Sequence, residues 1–224
     1  MRIPSNRWLL CYAACLFGAA CDAEQHPPQP VTFEVRSSSE KISDASSPLG
    51  YWVQEDSYPV FSGQDDVAAA LNSAVTERLD RYHCANGGDE SFEMDVETLE
   101  KGLVSLRYVA MWHCSTMTSP DSAEGAINRT LPGLNELKLE AQFMEEQYHV
   151  KVEEKVRQRY TAEIAQAAEA DDCPPAPDWD YFTITPEQLE FHFNTSEPSG
   201  PTCAATVRLS RKPLQDSLAP DSPL

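Results

Sequence analysis

The segment that most restricts the possible fold is Leu103–Cys114, near the middle of the 224-residue chain. Side chains alternate between two faces along an extended strand. One face of this segment is mixed and includes Ser105, Arg107 and His113. The other face is apolar and consists of Val104, Leu106, Tyr108, Ala110 and Trp112. The pattern predicts one long strand that packs through its apolar face and ends at a cysteine.

Residues 1–20 have the composition of a bacterial secretion signal, with two arginines, an apolar core at 8–17 and small residues before Cys21. Small residues directly before a cysteine resemble the lipoprotein box, in which the thiol receives a diacylglycerol. We therefore predict a palmitate-bearing lipoprotein with Cys21 as the lipidation site. The alternative is an ordinary cleaved signal peptide with an incidental Cys21, since Gly18 stands where the box usually has an aliphatic residue.

The predicted anchor also suggests a location. Residues 21–30 would be the lipidated cysteine and a polar, proline-rich tether. Asp22 fits the pattern that retains lipoproteins at the inner membrane of enterobacteria, which slightly favours that membrane over the outer one. No later segment approaches the ~20 apolar residues that a membrane span needs. We expect an exported domain that faces the periplasm and is held to a membrane by lipid.

Cysteine usage agrees with export. Beyond Cys21 the chain has four cysteines, at positions 84, 114, 173 and 203. An even number in an exported chain implies disulfides, and four cysteines allow three pairings. The equal separations of 30 residues favour the pairs Cys84–Cys114 and Cys173–Cys203.

The chain is strongly acidic. Its formal net charge is −19, and it becomes −21 without the predicted signal peptide, which carries two basic residues and no acidic ones. Such a surface repels phosphate backbones, so nucleic acid is a poor partner. It would attract basic proteins or cationic peptides. The alternative is that the acidity only keeps an exported protein soluble.

Hydrophobic periodicity indicates an α+β domain over 31–212. Helical spacing predicts two helices, at 64–82 and 140–170. Antiparallel hairpins with the two helices packed on the sheet, stabilised by two disulfides, are the expected architecture. Residues 213–224 are predicted to be a disordered tail. The predicted strands lie at 31–36, 50–61, 92–96, 103–114, 126–131, 181–185, 189–194 and 205–210.

Three short motifs occur in order along this domain: SYP at 57–59, GLNELKL at 133–139 and YFTITPEQLEFHF at 181–193. The set resembles the extracytoplasmic domain of unknown function that ends the RsiV-type anti-sigma factors, and a similar domain accompanies some peptidoglycan deacetylases. The resemblance covers roughly residues 31–212. It implies a long helix after the second motif and a closing hairpin formed by the third. The Gly-Gly-Ala-His-Pro-like segment of that family is replaced here by residues 113–117.

The resemblance implies an exposed binding module. In RsiV-type proteins the domain binds lysozyme, a strongly basic enzyme, and the acidity of this chain is compatible with such a partner. The sequence shows neither a cytoplasmic anti-sigma segment nor a deacetylase domain. We therefore expect neither sigma-factor regulation nor deacetylation.

The best candidates for chemistry are the pairs His83-Cys84 and His113-Cys114. Zinc ligands usually come in tighter clusters such as Cys-x2-Cys, and in an oxidising compartment these cysteines are expected to form a disulfide beside the histidines. A nucleophilic Cys114 would have to stay reduced. We predict no metal site, no cofactor and no catalytic residue. Five aromatic residues are candidates for a groove, with core packing as the alternative for most: Tyr51, Trp52, Trp112, Trp179 and Tyr181.

The sequence thus predicts a membrane-anchored, non-enzymatic binding module of the bacterial envelope, for a lysozyme-like basic protein or for peptidoglycan. One alternative is an envelope hydrolase acting on peptidoglycan or glycans, for which the sequence nominates no carboxylate or histidine. The other is a structural scaffold lipoprotein.

Overall fold

The computed structural model describes residues 30–224 except 46, 101, 166–172, 174–177 and 194–202. Residues 31–224 form one compact unit. The fold is mixed α+β with two disulfides, as predicted, but its strands form two sheets where the sequence analysis expected one. In chain order its elements are β1 (Thr32–Ser43), β2 (Tyr51–Ser62), α1 (Asp65–Arg81), β3 (Gly88–Glu100), β4 (Leu103–Cys114), β5 (Asp121–Thr130), α2 (Glu146–Ile164), β6 (Tyr181–Ile184), β7 (Gln188–Phe193) and β8 (Ala205–Ser210).

The larger sheet has five strands in the order β1-β2-β3-β4-β5. All neighbours are antiparallel except β2 and β3, which are parallel because α1 carries the chain back between them. The parallel ladder is short and joins residues 54–57 to residues 90–93, whereas β1 and β2 pair along their whole length. The β1–β2 hairpin is therefore attached to the rest of the sheet over a small part of its length.

Asn72 of α1 completes the edge of β2 beyond this short ladder. Its side-chain oxygen accepts a 2.8 Å hydrogen bond from the backbone N–H of Phe61, and its amide donates a 3.0 Å bond to the Phe61 carbonyl. The asparagine thereby satisfies both backbone groups, as a neighbouring strand would.

Strand β4 lies between β3 and β5 and spans the residues that the sequence predicts. Its apolar face packs against α1. Gly125 of β5 lies opposite Tyr108, and a β-carbon there would come within 2.5 Å of the Tyr108 hydroxyl oxygen, so the glycine makes room for the ring. The buried residues of this core are Phe61, Val67, Ala68, Leu71, Val75, Phe92, Met94, Val104, Leu106, Tyr108, Ala110 and Ile127.

The smaller sheet, of order β6-β7-β8, is antiparallel and packs with α2 around a second core. The helix buries four side chains at helical spacing: Val152, Val156, Tyr160 and Ile164. The other buried residues of this core are Leu103, Leu137, Leu139, Phe143, Ile184, Leu189, Phe191, Phe193, Val207, Leu209 and Leu224.

Ser105 connects the two sheets through a chain of hydrogen bonds. Its buried hydroxyl accepts a 3.0 Å bond from the backbone N–H of Ile184 and donates a 2.7 Å bond to Asn128. The Asn128 amide in turn donates a 2.8 Å bond to the Phe182 carbonyl. β6 is therefore fixed by polar contacts against the mixed face of β4 and β5.

The disulfides are Cys84–Cys114 and Cys173–Cys203, as predicted, with Cα–Cα distances of 5.3 and 5.6 Å. The first joins the segment after α1 to the end of β4. The second joins the segment after α2 to the start of β8. Each bridge thus closes a connection that leads out of a helix.

The predicted disordered tail at 213–224 differs from the structure. A 3-10 helix spans Lys212–Ser217, and Leu218 forms a bridge with Phe143. Leu224 is 8% exposed and belongs to the second core. The segment is ordered because its few apolar side chains fill the end of that core, although its composition is polar and proline-rich.

Several element boundaries also differ from the predictions. β1 continues through the serine-rich stretch to residue 43, and β5 begins at residue 121, before the predicted start at 126. The predicted start of the second helix is a separate 3-10 turn, Glu140–Gln142, and α2 begins at residue 146. Its predicted last residues, 166–170, lie outside the described part of the chain. Among the described helices, none combines the length and apolar character needed to cross a membrane.

Candidate functional site

Arg107 lies where the smaller sheet meets the mixed face of β4. Its guanidinium lies 3.5 Å from Glu124 Oε2 and donates a 3.5 Å hydrogen bond to the Tyr181 hydroxyl. Tyr181 itself donates a 2.8 Å bond to Glu124. Partial burial lowers the pKa of Arg107, but the bonds and charges of Tyr181 and Glu124 outweigh it and the net shift is upward. The three residues form a hydrogen-bonded network in which Arg107 keeps its positive charge.

His192 lies directly behind Tyr181, with the two rings stacked 4.4 Å apart. The histidine is 5% exposed, and its ring nitrogens lie 3.1 Å from the Thr183 hydroxyl and 3.3 Å from the Thr206 hydroxyl. Burial, followed by the charge of Arg107, lowers the pKa of His192 to about 4. The imidazole is therefore neutral at physiological pH and acts as a hydrogen-bonded core group.

Glu97 enters the same junction through a β-bulge. The register between β3 and β4 shifts between Val96 and Thr98, so Glu97 has no direct partner across the ladder. Its half-buried carboxyl has a raised pKa, first because of burial and then because of the charge of Glu190. Bulges commonly redirect side chains beside functional sites. Here one places an additional titratable group next to the Arg107 network.

Beyond the junction, the mixed face of the larger sheet is open and acidic. Directly opposed residues of antiparallel strands share a face, and the registers pair Glu93 with Val109, Asp95 with Arg107 and Val109 with Glu124. Five exposed carboxylates lie on this surface, which we call the acidic face: Glu55, Asp89, Glu93, Asp95 and Glu124.

The acidic face also carries apolar surface. Met111 is 56% exposed and Val109 is half-buried beside it. An open sheet face that combines carboxylates with an exposed methionine is suited to contact a basic protein surface, because it offers both charge complementarity and apolar area.

A groove of about 270 Å³ borders the junction on its other side, between β5 and residues 179–182. Trp179, Tyr181 and Phe182 form one wall. Ala126, Asn128 and Glu136 lie along the other. Aromatic walls beside a carboxylate are typical of surfaces that bind sugar rings or cationic groups.

The two predicted His-Cys pairs meet as a structural unit. Cys84 and Cys114 form the disulfide, so neither thiolate is free to bind metal. His83 Nδ1 lies 2.7 Å from Glu90, whose other oxygen accepts a 2.7 Å bond from the Cys84 N–H. Across the described residues, no group of three or more potential ligands is arranged to hold a metal ion. Cys21 lies outside the described residues.

The five predicted aromatic candidates separate into different environments. Trp52 is buried and donates a 2.9 Å bond to Asp44, and Trp112 stacks on Tyr82 at 5.0 Å. Tyr51 contacts the Lys41 ammonium. Trp179 and Tyr181 line the groove. Sequence reasoning thus found two groove residues. It assigned no role to Arg107 and His192, which it placed in strands, or to Glu97, which lies just beyond the predicted strand at 92–96.

Comparisons with known proteins bear on the fold. No protein-family model and no curated protein matches the sequence. Two similar solved structures are DUF3298 family proteins. The one from Bacteroides fragilis has a TM-score of 0.60 and 12% identity, with coverage of 87% of this chain and 96% of that chain. The one from Pseudomonas aeruginosa PAO1 has a TM-score of 0.57 and 13% identity, covering 87% and 97%. At these identities the likeness concerns the fold, and it is to a domain of unknown function.

Proposed function

We propose that this domain is a non-enzymatic binding module of the bacterial envelope, and that its partner is a basic protein of the lysozyme kind. The observation that carries the proposal is the acidic face, because a sheet surface with five exposed carboxylates and the exposed Met111 is complementary to a cationic protein. The net charge of −19 extends the same attraction over the whole molecule and would accelerate association.

The proposed location follows from two features. The two disulfides suit an oxidising, extracytoplasmic compartment. Lipidation at Cys21 would hold the domain at a membrane facing the periplasm, with the inner membrane favoured by Asp22. Kinship with the RsiV-type extracytoplasmic domain is part of this proposal, and the lysozyme-like partner is chosen from it.

The groove supports peptidoglycan as a second candidate ligand. The side chains of Trp179 and Tyr181 could stack on sugar rings, and Glu136 could accept hydrogen bonds from hydroxyl groups. If the domain instead hydrolyses glycans, the carboxyls with raised pKa, Asp56 and Glu97, are the first residues to substitute. A scaffold lipoprotein would show neither ligand binding nor hydrolysis.

Binding of residues 22–224 to a basic lysozyme, measured by calorimetry at low salt and at ~0.15 M salt, tests the proposal. We expect Glu55→Lys with Glu93→Lys on the acidic face to weaken binding at least ~10-fold. The control Glu154→Lys with Glu163→Lys changes the net charge equally, on exposed positions of α2, and should change Kd less than ~3-fold.

Two outcomes would count against a lysozyme-like partner. Binding that disappears at ~0.15 M salt would be non-specific charge attraction. Equal effects of the two double variants would show that net charge, and not the acidic face, governs the interaction. Titration with soluble peptidoglycan fragments, with Trp179→Ala as the variant, would then test the groove.

A further inference from the structure

Strand β1 is the outer strand of the larger sheet, and all 12 of its residues are exposed. In the described part of the chain, the sheet has no further strand beyond it. Three of its side chains are large, apolar and exposed: Phe33 (42%), Val35 (60%) and Ile42 (39%). A long open edge with apolar side chains is a template for pairing with another strand.

The charge of β1 differs from that of the rest of the chain. It carries two acidic residues, Glu34 and Glu40, and two basic residues, Arg36 and Lys41. The strand is therefore neutral, although the chain as a whole has a net charge of −19. Two copies of so acidic a protein repel each other over most of their surfaces, and the balanced charges of β1 lower that repulsion at its edge.

The order of residues along β1 is complementary to itself. A two-fold axis perpendicular to a continuous sheet leaves the same face of both copies on the same side of that sheet. Two residues that oppose each other across an antiparallel pair of identical strands are then both even-numbered or both odd-numbered. The two registers with the longest overlap are centred on Ser37 and on Ser38. The first opposes Glu34 to Glu40, which is repulsive. The second opposes Arg36 to Glu40 twice, once on each side of the axis.

We propose that the β1 edge pairs with the β1 edge of a second copy of this chain, antiparallel and centred on Ser38, to give a continuous sheet across the dimer. Charged side chains on an edge strand ordinarily prevent such pairing. In this register they support it, because each Arg36 faces a Glu40 of the other copy and the serines at the axis are small. The contact leaves the acidic face open and does not depend on the proposed function.

Charge-swap variants of residues 22–224, which contain the whole compact unit, test the pairing by sedimentation equilibrium. We expect the unmodified chain to dimerise, and Arg36→Glu or Glu40→Arg alone to weaken the dimer about 10-fold, since each creates two like-charged pairs. The double variant R36E/E40R restores opposite charges and should recover the original dimer constant within about 3-fold. Circular dichroism checks that every variant is folded.

Disulfide cross-linking tests the register. Opposed residues of an antiparallel pair bring their β-carbons within ~5.5 Å, which a disulfide can bridge after small adjustment. We expect Ser38→Cys to yield a covalent dimer under mild oxidation. Ser37→Cys is the matched control, since it would face residue 39 of the other copy and should cross-link much less.

Three results would overturn the proposal. The unmodified chain could remain monomeric at ~100 μM, a concentration well above that needed for a micromolar dimer. The double charge swap could dimerise no better than the single variants. Ser37→Cys could cross-link more readily than Ser38→Cys, which would place the axis one residue away, in the register that opposes Glu34 to Glu40.

Discussion

His192 is a buried, neutral histidine in a molecule whose surface is dominated by carboxylates. Its two nitrogens are engaged by threonine hydroxyls, and the groups whose charges act on it are Arg107, Glu190, Glu124 and Arg208. The folded state disfavours protonation, whereas an unfolded histidine accepts a proton near pH 6.5. Stability contributed by the neutral ring is therefore present above pH 6.5 and is lost as the pH falls towards about 4.

We expect this histidine to reduce the free energy of unfolding by about 3 kcal/mol between pH 6.5 and pH 4. Urea unfolding at pH 7, 5.5 and 4.5 measures how the free energy of unfolding changes with pH. His192→Gln removes this titratable group and should reduce the pH dependence of the free energy of unfolding, whatever stability the variant loses at pH 7. Equal slopes for the unmodified chain and His192→Gln would refute the role of His192.

The sequence predicted the roles of some individual residues and not those of others. The cysteine pairs were predictable because equal spacing in an exported chain restricts the pairing. Trp179 and Tyr181 were among the five aromatic candidates for a groove, but the sequence did not separate them from aromatic residues that pack in a core. Arg107 and Glu97 were not predictable, since a charged residue in a strand gives no indication of what packs against it from another sheet.

Among the elements, the C-terminal segment is held by a buried arginine in addition to its apolar side chains. Arg211 is 9% exposed, and its guanidinium donates to the carbonyls of Thr185, Pro186 and Pro223 and to the carboxylate of Glu100. It therefore ties the segment after β8 to the β6–β7 turn and to the end of β3. A proline-rich, polar composition suggested disorder for this segment, because composition cannot show a single well-placed arginine.

Replacing Arg211 with alanine should lower the free energy of unfolding by about 3 kcal/mol, since three carbonyls lose their donor in a buried site. Arg211→Lys keeps the charge but not the planar fork and should recover only part of the loss. Arg208→Ala is the control, because Arg208 is an exposed partner of Glu190 and its loss should cost less than ~1 kcal/mol. Chemical denaturation gives the three values, and similar losses for Arg208→Ala and Arg211→Ala would contradict the prediction.

At the scale of the whole molecule, the α+β class and the positions of most strands followed from periodicity, but the arrangement of the strands did not. Alternation reports which side chains share a face, and it is silent on which strands are neighbours. The parallel pairing of β2 with β3 and the separation into two sheets were therefore not predictable. Both depend on α1 and α2, which cover different sheets.

The short ladder between β2 and β3 has a consequence for how the native protein opens. β1 and β2 are paired over 12 residues, but the backbone ladder between the hairpin and β3 covers only residues 54–57. The hairpin should thus leave the sheet as one cooperative unit before the β3–β4 pair separates. In native-state hydrogen exchange we expect the amides of β1 and β2 to share one opening free energy, lower than that of β4. A single value for all strands would show that the sheet opens only by global unfolding.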